Sequence, residues 1–115
     1  MIDLSPQMQQ AINNQISYEG YASNFYLALA YWCDDQALEG CKKFFIRQSD
    51  EERFHMLKLY EYMSESGVLP ITPAIAQPPI KYISIQEAFQ KVFEQERSVT
   101  LSIHNLLKLA QDEND

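Results

Sequence analysis

The sequence predicts an all-α fold in which three long helices pack as a bundle, with one long crossover between the second and the third. Three observations predict it. Apolar residues recur at alternating three- and four-residue steps over three stretches, the period of an amphipathic helix. Residues that start and stop helices bracket those stretches. A proline-studded segment, 67–83, then separates the second stretch from the third and is far longer than a tight turn.

The first helix opens at Ser5-Pro6, where Ser caps and Pro fits the first helical position. It continues to Cys33 without a further proline and with one glycine, Gly20. Cys33-Asp34-Asp35-Gln36 reads as a short turn, with Asp34 or Asp35 capping the next helix. That second helix is expected from about Ala37 to Ser66, stopped by Gly67 and then Pro70. The third starts near Ser84, where Ser84-Ile85-Gln86-Glu87 forms a capping box, and runs to about Gln111. The polar tail Asp112-Glu113-Asn114-Asp115 reads as a helix end or frayed terminus.

Pro70, Pro73, Pro78 and Pro79 favour extended backbone in the crossover. A helix of this size spans roughly 40 Å at about 1.5 Å per residue, and the loop covers roughly 50 Å at about 3.3 Å per residue. The loop therefore reaches across the whole bundle and leaves the second and third helices parallel. No internal repeat or low-complexity segment interrupts residues 1–115, which read as a single domain.

Composition narrows the function. The 115 residues carry a formal charge of −7, which argues against non-specific nucleic-acid binding and suits a surface that attracts cations. Although 46% of residues are hydrophobic, no run approaches the roughly 20 apolar residues of a membrane span. Met1-Ile2-Asp3-Leu4-Ser5-Pro6 lacks the basic and apolar regions of a secretory signal. Cys33 and Cys41 sit inside helical patterns as small core hydrophobes, and a reduced, cytoplasmic chain is the simpler expectation.

Following each apolar stripe exposes polar residues where the core should be. In the first helix the stripe is Ile12, Ile16, Glu19, Ser23, Tyr26, Ala30, Cys33. In the second it is Leu38, Cys41, Phe45, Gln48, Glu52, His55, Leu59, Tyr62. In the third it is Ile85, Phe89, Val92, Glu96, Val99, Ile103, Leu106, Ala110. Each helix places a carboxylate at mid-height, and the expected packing brings Glu19, Glu52, His55 and Glu96 to one layer. Buried acids need a partner. Arg47, Arg53, Lys58 and Arg97 fall on other faces, so a bound cation is the remaining solution. Glu52-x-x-His55 puts both side chains on one helical face, with Glu52 placed to bridge two metals. Oxygen ligands with one imidazole suit iron or manganese, and zinc can compete.

Bland readings compete with this one. A single Glu in a helix is ordinarily solvated, and an isolated Glu-x-x-His is common. Three carboxylate intruders at one height, together with that motif, outweigh both. Tyr26 reads equally as a hydrogen-bonding or redox-active neighbour of the site and as an amphipathic core residue. Gln48 faces either a ligand or a water, and Glu51 is either a solvated acid or an outlying metal ligand. Trp32, Phe44 and Tyr60 are expected to pack, and His104, beside the stripe, to be a surface or a satisfied histidine.

Several segments together resemble the bacterial non-haem ferritins. They are Ser17-Tyr18-Glu19-Gly20-Tyr21-Ala22-Ser23 with Tyr26, Trp32-Cys33, Leu38-Glu39-Gly40, Ser49-Asp50-Glu51-Glu52-Arg53-Phe54-His55-Met56, Ser66-Gly67-Val68-Leu69-Pro70 and Phe93-Glu94-Gln95-Glu96-Arg97-Ser98-Val99-Thr100. The resemblance runs from about Gln10 to the last residue and implies a ferritin-like bundle, a fold with one such crossover. It implies that Glu19, Glu52 and His55 hold a first ferroxidase iron, that Glu52 bridges to a second, and that Glu96 is a ligand of the second. Tyr26 matches the nearby tyrosine, and Glu51 a residue of a third iron site. Relatives that carry haem have methionine directly after the bridging Glu; Arg53 stands here, so no haem is expected.

The resemblance further implies a di-iron ferroxidase that oxidises Fe(II) with oxygen or peroxide and deposits Fe(III) inside a twenty-four-subunit homo-oligomeric cage. One departure bears on this expectation. The family has a fourth long helix that supplies further ligands, and this sequence stops where it would begin. Either the subunit is truncated or cleaved, or another chain supplies the missing packing and ligands. A rubrerythrin-type oxidase or peroxidase fits less well, because such chains typically carry two Glu-x-x-His motifs and this one has one. The other alternative is a ligand-deficient helical module that binds one metal or none and acts through oligomer packing.

Overall fold

The computed structural model describes residues 3–113. Three helices occupy them: α1 Pro6–Asp35, α2 Glu39–Glu65 and α3 Ile85–Asp112. The expected tail is described only as far as Glu113, the C-cap of α3; Asn114 and Asp115, like Met1 and Ile2, lie outside the described residues.

Both expected N-caps are made by their hydroxyls. Ser5 accepts from the Met8 N–H with Pro6 at the first position of α1, and Ser84 accepts from the Glu87 N–H. The turn between α1 and α2 departs from expectation. α1 runs two residues past Cys33, and neither Asp34 nor Asp35 caps α2, whose N-cap Leu38 offers no side-chain acceptor. Instead the Leu38 N–H bonds the Cys33 carbonyl at 2.9 Å and the Ala37 N–H bonds Asp34 at 3.0 Å. This closing pattern needs a left-handed residue at its centre. Ala37 fills that position with φ 60°, where a Cβ costs about 1–2 kcal/mol. Asp34 is engaged by Lys42 instead, at 3.1 Å. The same closure recurs after α2, where Gly67 takes φ 78° at no such cost and the Val68 N–H bonds the Met63 carbonyl at 3.0 Å.

α1 is the central helix. α2 folds back along one side of it, and α3 lies antiparallel along another, with Ser5 at the start of α1 hydrogen-bonded to Glu113 past the end of α3. α2 and α3 are therefore parallel to each other. The crossover stays extended over α1 and α2. Ile75 seats against Gly20 and Met56, the Ile71 N–H bonds the Asn13 side chain, the Tyr60 hydroxyl meets Thr72, and Tyr82 packs edge-on against Trp32. A Cβ on residue 20 would lie 3.0 Å from the end of the Ile75 side chain, a tight contact that Ile75 would have to give way to.

Two apolar clusters fill the interior. Phe25, Tyr26, Leu29, Ala30, Trp32, Cys33, Phe45 and Ala88 form one; Leu4, Met8, Ile12, Ile16 and Met63 form the other. Each fully buried aliphatic side chain contributes about 1.5–3 kcal/mol. Between the clusters lies a polar layer containing Gln15, Glu19, Ser49 and Glu52, all buried.

The stripe expected on α1 is the one buried. On α2 the buried face is rotated: Phe45, Ser49, Glu52 and Met63 meet α1, while Tyr62 and His55 stand exposed. On α3 only Ala88 is fully buried; Ile85, Phe89 and Ile103 are 45%, 44% and 38% exposed. Phe44, expected to pack, is 47% exposed. These residues line an open side between α2 and α3, near whose end Phe45 and Phe89 face each other with ring centroids 6.4 Å apart. His104 is exposed, a surface histidine.

Candidate metal centre

The polar layer brings three ligand-type side chains together. Glu19 on α1 and Glu52 and His55 on α2 present ligand atoms that all lie within 4.8 Å of one another. Both carboxylates are buried, whereas His55 reaches in from the open side with its imidazole 47% exposed and Nδ1 3.8 Å from Glu19 Oε2. Glu52 and His55 share a face because they are three residues apart on one helix.

Three neighbours set this geometry: Gln15 and Ser49, which sequence reasoning missed, and Ser23, which lies on the α1 stripe. Gln15, one turn before Glu19 and buried, donates its side-chain N–H to Glu19 Oε1 at 3.0 Å and so fixes one carboxylate oxygen. Ser23 and Ser49 form a reciprocal clamp between the helices: Ser23 Oγ donates to the Ser49 carbonyl at 2.9 Å and Ser49 Oγ to the Ser23 carbonyl at 2.7 Å. Ser23 follows Glu19 by one turn and Ser49 precedes Glu52 by three residues, so the clamp holds the register that levels the two acids. The signal available for Gln15 and Ser49 was their spacing, polar residues at helical steps from a ligand.

The remaining expected residues take other places. Glu96 on α3 is exposed as a residue and accepts a hydrogen bond from the Tyr26 hydroxyl, so its carboxylate stands outside the three-ligand cluster. Tyr26 is buried, stacked on Phe45 with centroids 5.8 Å apart and edge-on to Phe25. Its phenol is held protonated by burial first, then by the hydrogen bond and charge of Glu96 and the charge of Glu52. Tyr26 thus packs in the core and also makes a polar contact with Glu96. Glu51 is exposed, and its charge acts on Glu52. Gln48 is half-buried on the same side of α2 as His55.

The acids of this layer are left without a compensating charge. Oε2 of Glu19 and Oε2 of Glu52 are both buried without a hydrogen-bond partner, and among the described residues no Lys or Arg pairs with either acid. Glu52 is pushed up to about 9, by burial first, then by the neighbouring carboxylate of Glu19 and the charges of Glu96 and Glu51. Two orphaned carboxylate oxygens beside an imidazole fit a divalent metal that accepts oxygen and nitrogen donors.

Comparison with known proteins identifies the family. The ferritin-like domain family matches residues 9–115. The chain belongs to the ferritin family. It is similar to the bacterial non-heme ferritin of Staphylococcus aureus (strain USA300), 38% identical over 112 residues, which are 97% of this chain and 68% of that ferritin. The ferritin of the same description from Staphylococcus epidermidis is also 38% identical, with the same coverage. Among solved structures, a humanized archaeal ferritin superposes with a TM-score of 0.94 at 34% identity, covering 98% of this chain and 68% of that one. Chlorobium tepidum ferritin gives a TM-score of 0.94 at 30% identity, covering 98% and 69%.

Proposed function

We propose that this chain is an iron-storage ferritin subunit whose substrate is Fe(II), captured by Glu19, Glu52 and His55 and oxidised to Fe(III). The orphaned, buried oxygens of Glu19 and Glu52 carry the reading. They cost free energy in the bare fold and are relieved by a cation, and a neutral imidazole completes a mixed donor set that iron accepts. Each ferrous ion gives up one electron to oxygen or peroxide. Glu52 would also help hold a second iron, with Glu96 as a further ligand, and Glu51 would be an outlying acid for iron leaving the pair. Residues 1–115 act as one domain in a cytoplasmic homo-oligomeric cage that receives the ferric product. Family membership supports storage; the di-iron state, the oxidase activity, the cage and the location are parts of the proposal.

Anaerobic titration with Fe(II), followed by oxygen, tests it. Two irons per chain and oxygen-dependent conversion to Fe(III) are expected. Glu52→Ala combined with His55→Ala lowers affinity by about 10–100-fold or more, the scale seen when metal sites lose even outer contacts. Binding unchanged in that double variant overturns the site. Particle mass by light scattering tests the cage.

A second reading is favoured by the placement of Glu96 on Tyr26, outside the cluster. Here the chain is a ligand-deficient module that binds one metal and packs in an oligomer without turnover. One iron per chain and no oxygen-dependent oxidation distinguish it.

A further inference from the structure

The turn between α1 and α2 carries the chain's two cysteines on facing helix ends. Cys33 lies in the last turn of α1 and is buried; Cys41 lies in the first turn of α2 and is half-buried. Both thiols are free. They line one apolar seam with Leu29, Trp32, Leu38 and Phe45, and its free volume of about 10 Å³ leaves hardly the space of a single water. The residues that follow them, Asp34 and Lys42, pair at 3.1 Å across the same turn. The Leu38 N–H is tied back to the Cys33 carbonyl itself. These contacts hold the two helix ends against each other.

We propose that Cys33 and Cys41 form a reversible intrachain disulfide when a hydroperoxide reaches Cys41, stapling the hairpin that carries Glu19 on one arm and Glu52 and His55 on the other. The chemistry balances in two steps. The Cys41 sulfur attacks hydrogen peroxide, gaining oxygen as a sulfenic acid and releasing water. The Cys33 sulfur then attacks the Cys41 sulfur, the S–O bond breaks, and a second water leaves with the Cys33 proton. Two thiols lose two electrons in all, and one peroxide is reduced to two waters. A small-molecule dithiol reverses the step by exchange.

The order follows from access. Cys41 is the less buried of the two. Burial, with the charge and hydrogen bonding of Cys41 added, holds the Cys33 thiol up at about 11, so Cys33 reacts second and the closing step is the slower one. The crosslink closes a short loop and restricts the unfolded chain.

The test uses the full chain, metal-free and reduced, exposed to hydrogen peroxide and then alkylated under denaturing conditions. The expected result is a monomer lighter by two hydrogen atoms, with neither cysteine alkylated and the Cys33 and Cys41 peptides recovered as one linked species. Dithiothreitol restores both thiols, and the oxidised chain melts at a higher temperature than the reduced one. Cys33→Ser leaves Cys41 as a sulfenic or sulfinic acid, which shows that Cys33 is the thiol that closes the bond. Oxygen adducts on Cys41 with Cys33 still alkylated in the wild type overturn the proposal. So do chains linked to one another in place of an internal bond.

Discussion

Replacing Glu52 with Gln should remove most of the pH dependence from the stability of the metal-free chain. Glu52 is buried beside Glu19 without a cation, and it titrates at about 9 in the fold against an ordinary value of 4.5. Between those values the folded chain holds one proton that the unfolded chain has released. The folded pKa is the higher one, so this contribution is fully present below about pH 4.5. It is lost as pH rises through the window and levels off above about pH 9. One proton corresponds to a slope of about −1.4 kcal/mol per pH unit, an upper value because water at the open side between α2 and α3 screens the pair. Urea unfolding with a chelator present, at several values between about pH 5.5 and pH 7.5, measures it; the wild type loses up to about 2–3 kcal/mol over that range. Glu52→Gln keeps the shape and hydrogen-bonding capacity without the charge, and its stability should be nearly flat. Parallel pH profiles for the two proteins refute the reasoning. The same proton must leave when Fe(II) binds, so affinity rises with pH across the window, by up to about tenfold per unit.

Four further outcomes are expected. Ser49→Ala breaks half of the clamp with Ser23 and should cost about 1–2 kcal/mol by urea midpoint; it also weakens Fe(II) binding, because the register of Glu19 and Glu52 loosens. Ala37→Gly relieves the left-handed residue between α1 and α2 and should stabilise by about 0.5–1 kcal/mol, the strain relieved less the entropy glycine adds to the unfolded chain; a loss of stability contradicts the assigned turn. Tyr26→Phe should cost about 1–2 kcal/mol and release Glu96, so the Fe(II) count per chain stays equal or rises, whereas a fall means the phenol itself holds iron. Gln15→Leu removes the donor to Glu19 and should lower Fe(II) affinity while leaving far-ultraviolet circular dichroism unchanged.

The sequence carried the acids of the site, because each interrupts an apolar repeat and a charge at such a position has few explanations other than a ligand. Glu19, Glu52 and His55 were legible for that reason. Gln15 and Ser49 were not, since a polar residue at a helical step carries no mark of its partner until the helices are paired. The turn was misjudged for a related reason. Asp34 and Asp35 are strong caps by type, yet the backbone closes through Ala37 and leaves Asp34 to Lys42. On α2 the apolar pattern is broad enough to contain two faces. One meets α1 through Phe45, Ser49, Glu52 and Met63; the other, through Phe44, His55 and Tyr62, borders the open side.

The sequence by itself determined the three helices, their capping hydroxyls at Ser5 and Ser84, the extended crossover and the helical positions of the candidate ligands. Those properties are local, set by spacing and by the shape of single residues. Only the tertiary structure decided which of those positions meet. It joined Glu19 to Glu52 and His55 through the antiparallel pairing of α1 and α2, and it set Glu96 on Tyr26. It left two buried carboxylate oxygens without partners. Burial and distance are properties of pairs, and a pair far apart in sequence acquires them only when the chain has folded.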